Sequence, residues 1–467
     1  MHYGVIVRIL AWLGLTLVAG CGAGAIVALI AGETAPLVAF ATTALVTAVM
    51  CSSVLLLAPN NDRDARPRDG LAALILFWLL IPPFAALVFL LSVPGATFPL
   101  ALEEATSCLT TTGHTVLPLA SDQWPMSLVF WRGLLHVYGA LVSLTAVASI
   151  FAAINLGGPG IHRTVLFTIP DGSFFGAMPR VILASAAALG ATIGVLSLSL
   201  SATGMPISTA ISDAVSVATT GLVTPGRAGL GPTNDVHGVI LFLGLLFSTI
   251  GLAVALEIRA GRWRFAARDP ELVTLAILFM AIVGVTVLLG ERVVDGAAWA
   301  ISELSTSGMP INASGTQLRM PLPVALLPVI IGGSALSTAG GIKLARIFIL
   351  SARALQEFRT LAFRKSVGVF TFRGRVQPEK AIIAVWVYLV AYTMVAALLL
   401  LLFSMAGQGF EAAVSSAIGT LSNAGHLVVT GAERSPAIST IAVFAMILGR
   451  LEVLAALPAL FPGFWRS

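Results

Sequence analysis

The chain has 467 residues, 58% of them hydrophobic and 10% charged, with a formal net charge of +5. Soluble globular domains carry about 25% charged residues, so this composition excludes a soluble fold and points to an all-α integral membrane protein. The positive charge is no nucleic-acid signal, because the basic residues sit in short loops between apolar runs, where they set membrane orientation instead. Cys21, Cys51 and Cys108 lie in or beside apolar segments and imply neither a disulfide framework nor a metal site.

A helix needs about 20 apolar residues to cross the hydrocarbon core. Two such runs, near 5–30 and 36–57, predict a pair of transmembrane helices in an N-terminal unit of residues 1–58. The first run is longer than the apolar core of a typical signal peptide and reads as a retained helix. A charged loop, 60–69, follows. From there one pattern recurs four times: a spanning segment, a short piece ending in a Thr/Gly-rich loop, and a second spanning segment. Repeat 1 (70–156) has 71–91, a loop at Gly113 and 127–154. Repeat 2 (176–258) has 181–200, Gly221 and 236–256. Repeat 3 (270–355) has 272–289, Gly308 and 321–350. Repeat 4 (378–467) has 381–403, Gly425 and 438–460.

The loops read Leu109-Thr110-Thr111-Thr112-Gly113-His114, Val217-Ala218-Thr219-Thr220-Gly221-Leu222, Leu304-Ser305-Thr306-Ser307-Gly308-Met309 and Leu421-Ser422-Asn423-Ala424-Gly425-His426. One copy would be an ordinary extramembrane turn. Four copies at one place in a repeated hydropathy pattern imply a pore lined by four loops. A cation leaving water needs its hydration oxygens replaced, and an extended chain can do this with backbone carbonyls. Glycine permits the backbone angles and leaves the path clear. The candidate cation-coordinating residues are Thr111, Thr112, Gly113, Thr220, Gly221, Ser307, Gly308, Asn423, Ala424 and Gly425. The stretches before the loops, such as 102–108 and 211–217, are too short to span. They read as half-helices whose partially negative C-terminal ends face the cavity and favour cations.

With the loops taken as external, 20 of the 26 basic residues fall in the opposite loops and at the termini, which places both termini in the cytoplasm. In repeat 3 the second spanning segment is interrupted by Gly332-Gly333-Ser334-Ala335-Leu336-Ser337-Thr338-Ala339-Gly340-Gly341-Ile342-Lys343. Such a run is poor helix, and broken helix at membrane depth must be buried in protein or line water. A gate on the cytoplasmic side, just below the loops, is the reading its position favours over a flexible inner loop or close helix packing. Arg450 and Glu452 lie in the final apolar segment, where ionisable residues suggest a pathway or a functional pair. Arg132, near the outer start of its helix, reads as structural.

At these residues the sequence resembles the membrane subunit of the Trk/Ktr/HKT superfamily of potassium transporters, bacterial Trk type. The matching stretches are Arg68-Asp69-Gly70, Leu109 to Gly113, Phe130-Trp131-Arg132, the run from Gly332-Gly333 through Ser337-Thr338-Ala339-Gly340-Gly341-Ile342-Lys343, and Gly449-Arg450-Leu451-Glu452. The resemblance implies a pseudo-fourfold pore with one filter glycine per repeat (Gly113, Gly221, Gly308, Gly425), gated by the broken helix of repeat 3 with Arg450 beneath it. It also implies K+ as the transported ion, a homodimer in the bacterial cytoplasmic membrane, and a separate cytosolic nucleotide-binding regulatory subunit. No organic cofactor and no nucleic-acid partner is expected of this chain.

Departures from the family pattern are His114 and His426 after the first and fourth glycines, Gly221-Leu222-Val223 for Gly-Gly-Phe, and His136-Val137-Tyr138-Gly139-Ala140 where a Gly-rich helix is usual. His114 and His426 are candidate pH sensors, because histidine titrates nearest neutral pH. The competing expectation is that both hydrogen-bond the filter backbone and stay neutral. A coupled proton- or sodium-dependent transporter is the alternative function, with Glu103, Glu104, Asp213, Glu303 and Glu411 as intramembrane carboxylates. An enzyme is not expected: there is no HExxH motif and no nucleophile–base pair, and the six histidines are scattered.

Overall fold

The computed structural model describes residues 2–58, 67–120, 123–151, 174–225, 234–251, 268–311, 320–363, 379–430 and 434–466, with positions 261, 264, 318, 371–372 and 375–376. The expected basic loop residues Arg63, Arg66, Arg163, Arg259 and Arg262 lie outside these.

Two long apolar helices, α1 (Tyr3–Ala31) and α2 (Thr34–Leu57), form the N-terminal pair. The segments expected as repeats keep those labels below: the segment of repeat 1 carries α3 (Pro67–Ser92), α4 (Phe98–Leu109) and α5 (Met126–Thr145), and that of repeat 2 carries α6 (Phe174–Ala202), α7 (Ile207–Thr219) and α8 (Asp235–Ile250). Repeat 3 comprises α9 (Pro270–Leu288), α10 (Val293–Leu304), α11 (Leu322–Ile331) and α12 (Leu344–Ala362). A two-residue hairpin, β1 (Thr371–Phe372) with β2 (Arg375–Val376), precedes repeat 4. Repeat 4 comprises α13 (Glu379–Met405), α14 (Phe410–Leu421) and α15 (Pro436–Arg450), then the short α16 (Val453–Ala456) and α17 (Pro462–Arg466).

Hydropathy decides which of these can cross a bilayer. Among the described residues seven helices are long and apolar enough, and an eighth if α15 and the following Val453–Leu460 count as one bent span. Large apolar side chains such as Ile30, Leu56 and Leu57 stand exposed on the surface. Such an exterior suits lipid rather than water, and the protein is a multi-pass membrane protein. The half-helices α4, α7, α10 and α14 have 12, 13, 12 and 12 residues. At about 1.5 Å per residue they reach roughly 20 Å, too short for a hydrocarbon core of about 30 Å.

The packing closes a ring. Each half-helix packs on the long helix before it: α4 on α3, α7 on α6, α10 on α9 and α14 on α13. Each second helix packs on the half-helix of the next repeat: α5 on α7, α8 on α10 and α11 on α14, and α15 of the last repeat returns to α4 of the first. Glycines make the inner approaches possible. A Cβ on Gly139 would collide with the Leu109 carbonyl, one on Gly244 with Val217, and one on Gly449 with the Leu421 carbonyl. In all three pairs the second helix of a repeat lies against the end of its own half-helix.

The pair α1 and α2 packs against repeat 1, outside this ring. Arg68 and Asp69 explain how both chain ends are fastened there. The His2 backbone N–H donates to Asp69 Oδ1 at 3.2 Å, with the His2 ring 3.1 Å from Oδ2. Arg68 donates to the Gly463 carbonyl at 2.9 Å and stacks over Phe464.

Candidate functional site

The four Thr/Gly loops, L1 to L4 in chain order, follow the ends of the half-helices and meet. In L1, L3 and L4 the residue two before the glycine is left-handed: Thr111 at φ 53°, Thr306 at 59° and Asn423 at 52°. This turn ends the half-helix and redirects the chain. The next N–H returns to the carbonyl five residues back: Thr112 to Ser107 (2.8 Å), Ser307 to Ser302 (3.1 Å) and Ala424 to Gly419 (2.7 Å).

L2 makes the same turn one residue out of step with the expected alignment. Its left-handed residue is Thr220, φ 56°, immediately before Gly221, and the returning bond is Gly221 N–H to the Ser216 carbonyl at 3.1 Å. The serine four residues before the turn confirms the register. Ser107 Oγ bonds the His114 carbonyl (2.8 Å), Ser302 Oγ the Met309 carbonyl (2.9 Å), and Ser216 Oγ accepts from the Val223 N–H (3.0 Å). The slot held by Gly113, Gly308 and Gly425 is therefore held in L2 by Leu222, and the expectation of Gly221 there is corrected.

The loops touch one another through backbone. A Cβ on Gly113 would collide with the Leu222 amide, on Gly221 with the Thr111 carbonyl, on Gly425 with the Thr112 carbonyl, and on Gly308 with the His426 ring. Gly425 N–H donates to the Thr112 carbonyl at 3.0 Å, and Asn423 Nδ2 to Thr112 Oγ1 at 3.2 Å. Leu222 shares one apolar cluster with Met309 and Ile311, and α8 packs on α10, which brings L2 and L3 to the same side. Contacts L1–L2, L3–L4 and L4–L1, with this shared cluster of L2 and L3, complete a circuit.

Buried ion pairs brace this circuit. Arg132, fully buried on α5, pairs with Glu104 and donates to the carbonyls of Val223 (2.7 Å), Leu222 (3.1 Å) and Gly113 (3.3 Å). Glu104 accepts from Thr115 Oγ1 (3.0 Å) and the Val116 N–H (2.9 Å). Arg434, just beyond L4, clamps Glu103 of the adjacent α4 and donates to the Val429 carbonyl at 2.6 Å. His114 lies 2.9 Å from Glu103, and His426 lies 2.7 Å from Glu303 of the neighbouring repeat. Both histidines are therefore held by carboxylates, and the second ring nitrogen of His114 faces Ser107 Oγ at 3.1 Å.

The break between α11 and α12 folds back under the loops. Its base is closed by Ile342 N–H to the Ile330 carbonyl (2.8 Å), Lys343 to Ile331 (2.9 Å) and Leu344 to Gly333 (3.0 Å). Glu271, at the start of α9, accepts from Ser334 Oγ and from the Ala335 N–H at 3.0 Å. At the apex, Thr338 Oγ1 donates to the Ala218 carbonyl (3.1 Å), and Gly340 N–H donates to Thr306 Oγ1 (2.9 Å). Gly340 also abuts the Ser422 carbonyl. Cations cap the apex from the other side: Arg450 donates to the Thr338 carbonyl (2.8 Å) and Lys343 to those of Ser337 and Ala339.

Arg450 and Glu452 do not lie inside one continuous final helix, as 438–460 had implied. The chain bends by 102° between α15 and the following segment. Arg450 ends α15 and also donates to Ser143 Oγ (2.8 Å), while Glu452 pairs with Arg346, whose guanidinium lies over Tyr388.

Similarity to known proteins follows the same architecture. No family model matches the chain. It is 28% identical over 433 residues to the Trk system potassium uptake protein TrkH of Salmonella typhimurium, covering 88% of this chain and 89% of that one. It is 26% identical over 428 residues to TrkG of Escherichia coli, covering 86% of each. Its fold superposes on the crystal structure of TrkH from Vibrio parahaemolyticus with a TM-score of 0.86, 24% identity and complete coverage of both chains. Along most of its length the chain is thus similar to Trk system potassium uptake proteins, and it shares the fold of TrkH. Thr306, Ala218, Glu271 and Arg434 carried no expected site role, and Glu104 was expected only as a coupling carboxylate rather than as the partner of Arg132. The serine four residues before each of Thr111, Thr220 and Thr306 was the available signal for the L2 register.

Proposed function

We propose that the chain carries potassium across the bacterial cytoplasmic membrane, down its electrochemical gradient, along the axis on which L1 to L4 converge. The observation that carries this reading is the closed circuit of loop contacts at the ends of four half-helices. Each half-helix ends with its partially negative terminus at the circuit, which favours a cation there. An inside-negative potential adds about 2.3 kcal/mol per charge per 100 mV to uptake. The names of its relatives, Trk system potassium uptake proteins, support the choice of ion.

In this reading the filter comprises Thr111, Thr112, Gly113, Thr220, Gly221, Ser307, Gly308, Asn423, Ala424 and Gly425, with Leu222 added by the L2 register. The gate is the segment of Gly332, Gly333, Ser337, Thr338, Gly340, Gly341 and Lys343, held by Arg450. The bonds from Gly340 to Thr306 and from Thr338 to Ala218 support an occluding position directly beneath the loops. Both termini lie in the cytoplasm, the working form is a homodimer, and a separate cytosolic nucleotide-binding subunit releases the gate. Coupled proton or sodium transport is less well supported. Glu103, Glu104 and Glu303 already hold Arg434, Arg132 and His426, and a coupling carboxylate must be free to exchange its partner.

The test is growth of a bacterium deficient in potassium uptake, in low-potassium medium, with and without a candidate cytosolic partner. Rescue is expected. No rescue, together with no Rb+ flux in proteoliposomes, would refute the reading.

A further inference from the structure

We infer that Leu222 and Arg132 together determine ion specificity by taking one side of the filter out of full coordination; this rests on the filter reading of the four loops. The left-handed register puts Leu222 in the slot that glycine fills in the other three loops. Leu222 does not share the positive φ of Gly113 and Gly308. Its side chain is buried in one apolar cluster with Val217, Met309 and Ile311, which fixes L2 in place. Its carbonyl, with those of Gly113 and Val223, accepts from the buried guanidinium of Arg132.

A carbonyl already bonded to a fixed cation is a weaker ligand for a second one. The Arg132 charge is balanced by Glu104, so the effect lies in the occupied carbonyl oxygens rather than in net repulsion. Two of the four slot carbonyls, Gly113 and Leu222, are so engaged, and a third, that of Gly425, accepts the Val428 N–H at 3.1 Å. An ion at this level keeps part of its own water. Discrimination between K+ and Na+ depends on the number and field strength of the oxygens that replace that water, so this chain discriminates less sharply than a ring of four free glycine carbonyls would. The specificity determinant is thus the side chain at 222, which holds the L2 backbone against Arg132.

The experiment measures competition of K+ and Na+ against Rb+ uptake in proteoliposomes for the wild type, Leu222→Gly and Arg132→Lys. Thermal stabilisation of the purified proteins by K+ and by Na+ is measured in parallel. Leu222→Gly frees the L2 backbone, and Arg132→Lys keeps the charge while removing the fork that engages three carbonyls at once. Both variants are expected to raise the K+ preference at least threefold in each readout. If Leu222→Gly does not fold, Arg132→Lys decides. An unchanged ratio in a folded, conducting variant overturns the inference while leaving the filter reading intact. Absence of Rb+ flux from the wild type ends the filter reading, and the inference with it.

Discussion

The bond between Gly340 and Thr306 offers a one-atom test of the gate. Thr306→Val replaces the hydroxyl with a methyl at nearly constant volume, and both residues are β-branched, so the strain of the left-handed backbone at φ 59° is little changed. What changes is the acceptor for the Gly340 N–H, which is buried and 2.9 Å from Thr306 Oγ1. A buried donor left without a partner costs about 1–3 kcal/mol. That penalty falls only on the conformation in which Gly340 lies beneath L3, so the occluding position loses that much relative to one in which the segment has moved to water or other partners. At about 1.4 kcal/mol per tenfold, the open population rises by roughly five- to a hundredfold where it is small to begin with. Rb+ uptake into proteoliposomes lacking any cytosolic partner should rise accordingly, with a modest drop in the thermal stability of the purified protein, because the penalty falls on its populated conformation. Thr338→Val, which removes a donor and leaves the Ala218 carbonyl, should act in the same direction but more weakly. Unchanged basal flux in a folded Thr306→Val protein would show that this contact does not hold the gate.

Other consequences are equally direct. Arg434→Met leaves Glu103 buried with only His114 to face, and breaking a buried pair in this way costs about 3–5 kcal/mol; a drop of several degrees in melting temperature is expected, with incomplete recovery in Arg434→Lys because one point charge replaces the fork. Gly139→Ala drives a methyl into the Leu109 carbonyl and should abolish folded protein, whereas Gly190→Ala, with nothing within 4 Å, should be tolerated; equal yields on a size-exclusion profile would contradict the close packing of α5 on α4. Gly113→Ser, at φ 84° and against the Leu222 amide, must part L1 from L2 and should lower K+/Na+ discrimination, read as a smaller ratio in competition assays. Replacing both His114 and His426 by alanine removes their contacts with Glu103 and Glu303 and tests pH sensing at the loops; uptake profiles from pH 8 to 5 that superimpose on the wild type would remove them as sensors.

The helices were legible because hydropathy sets their length. The expected spans at 5–30, 36–57, 71–91 and 272–289 fall within a few residues of α1, α2, α3 and α9. The four loops were legible because small polar residues before a glycine stand out between apolar runs. Their register in L2 was not, since the deciding property is a backbone angle at Thr220 and a threonine looks alike whether its φ is positive or negative. Residues that act across repeats were also hidden. Arg434 and Glu103 are 331 positions apart, and nothing in either neighbourhood announces the other. The bend at Arg450 was masked by the apolar residues after it, which continue the hydropathy of α15 although the chain turns. The role of Arg68-Asp69 in holding both chain ends depends on contacts with His2 and Phe464 that no local pattern encodes.

The return of α15 to α4 has a meaning for biogenesis. The circuit of loops is closed by the bond from Gly425 to Thr112, so an element synthesised more than 300 residues later supplies the wall that the first repeat lacks. Until residues near 450 have been inserted, α4 has an uncovered flank and no enclosed passage exists. If the loops line the ion path as proposed, a chain that stops short of α15 lacks one wall of it, and the order of synthesis itself keeps that path from closing early.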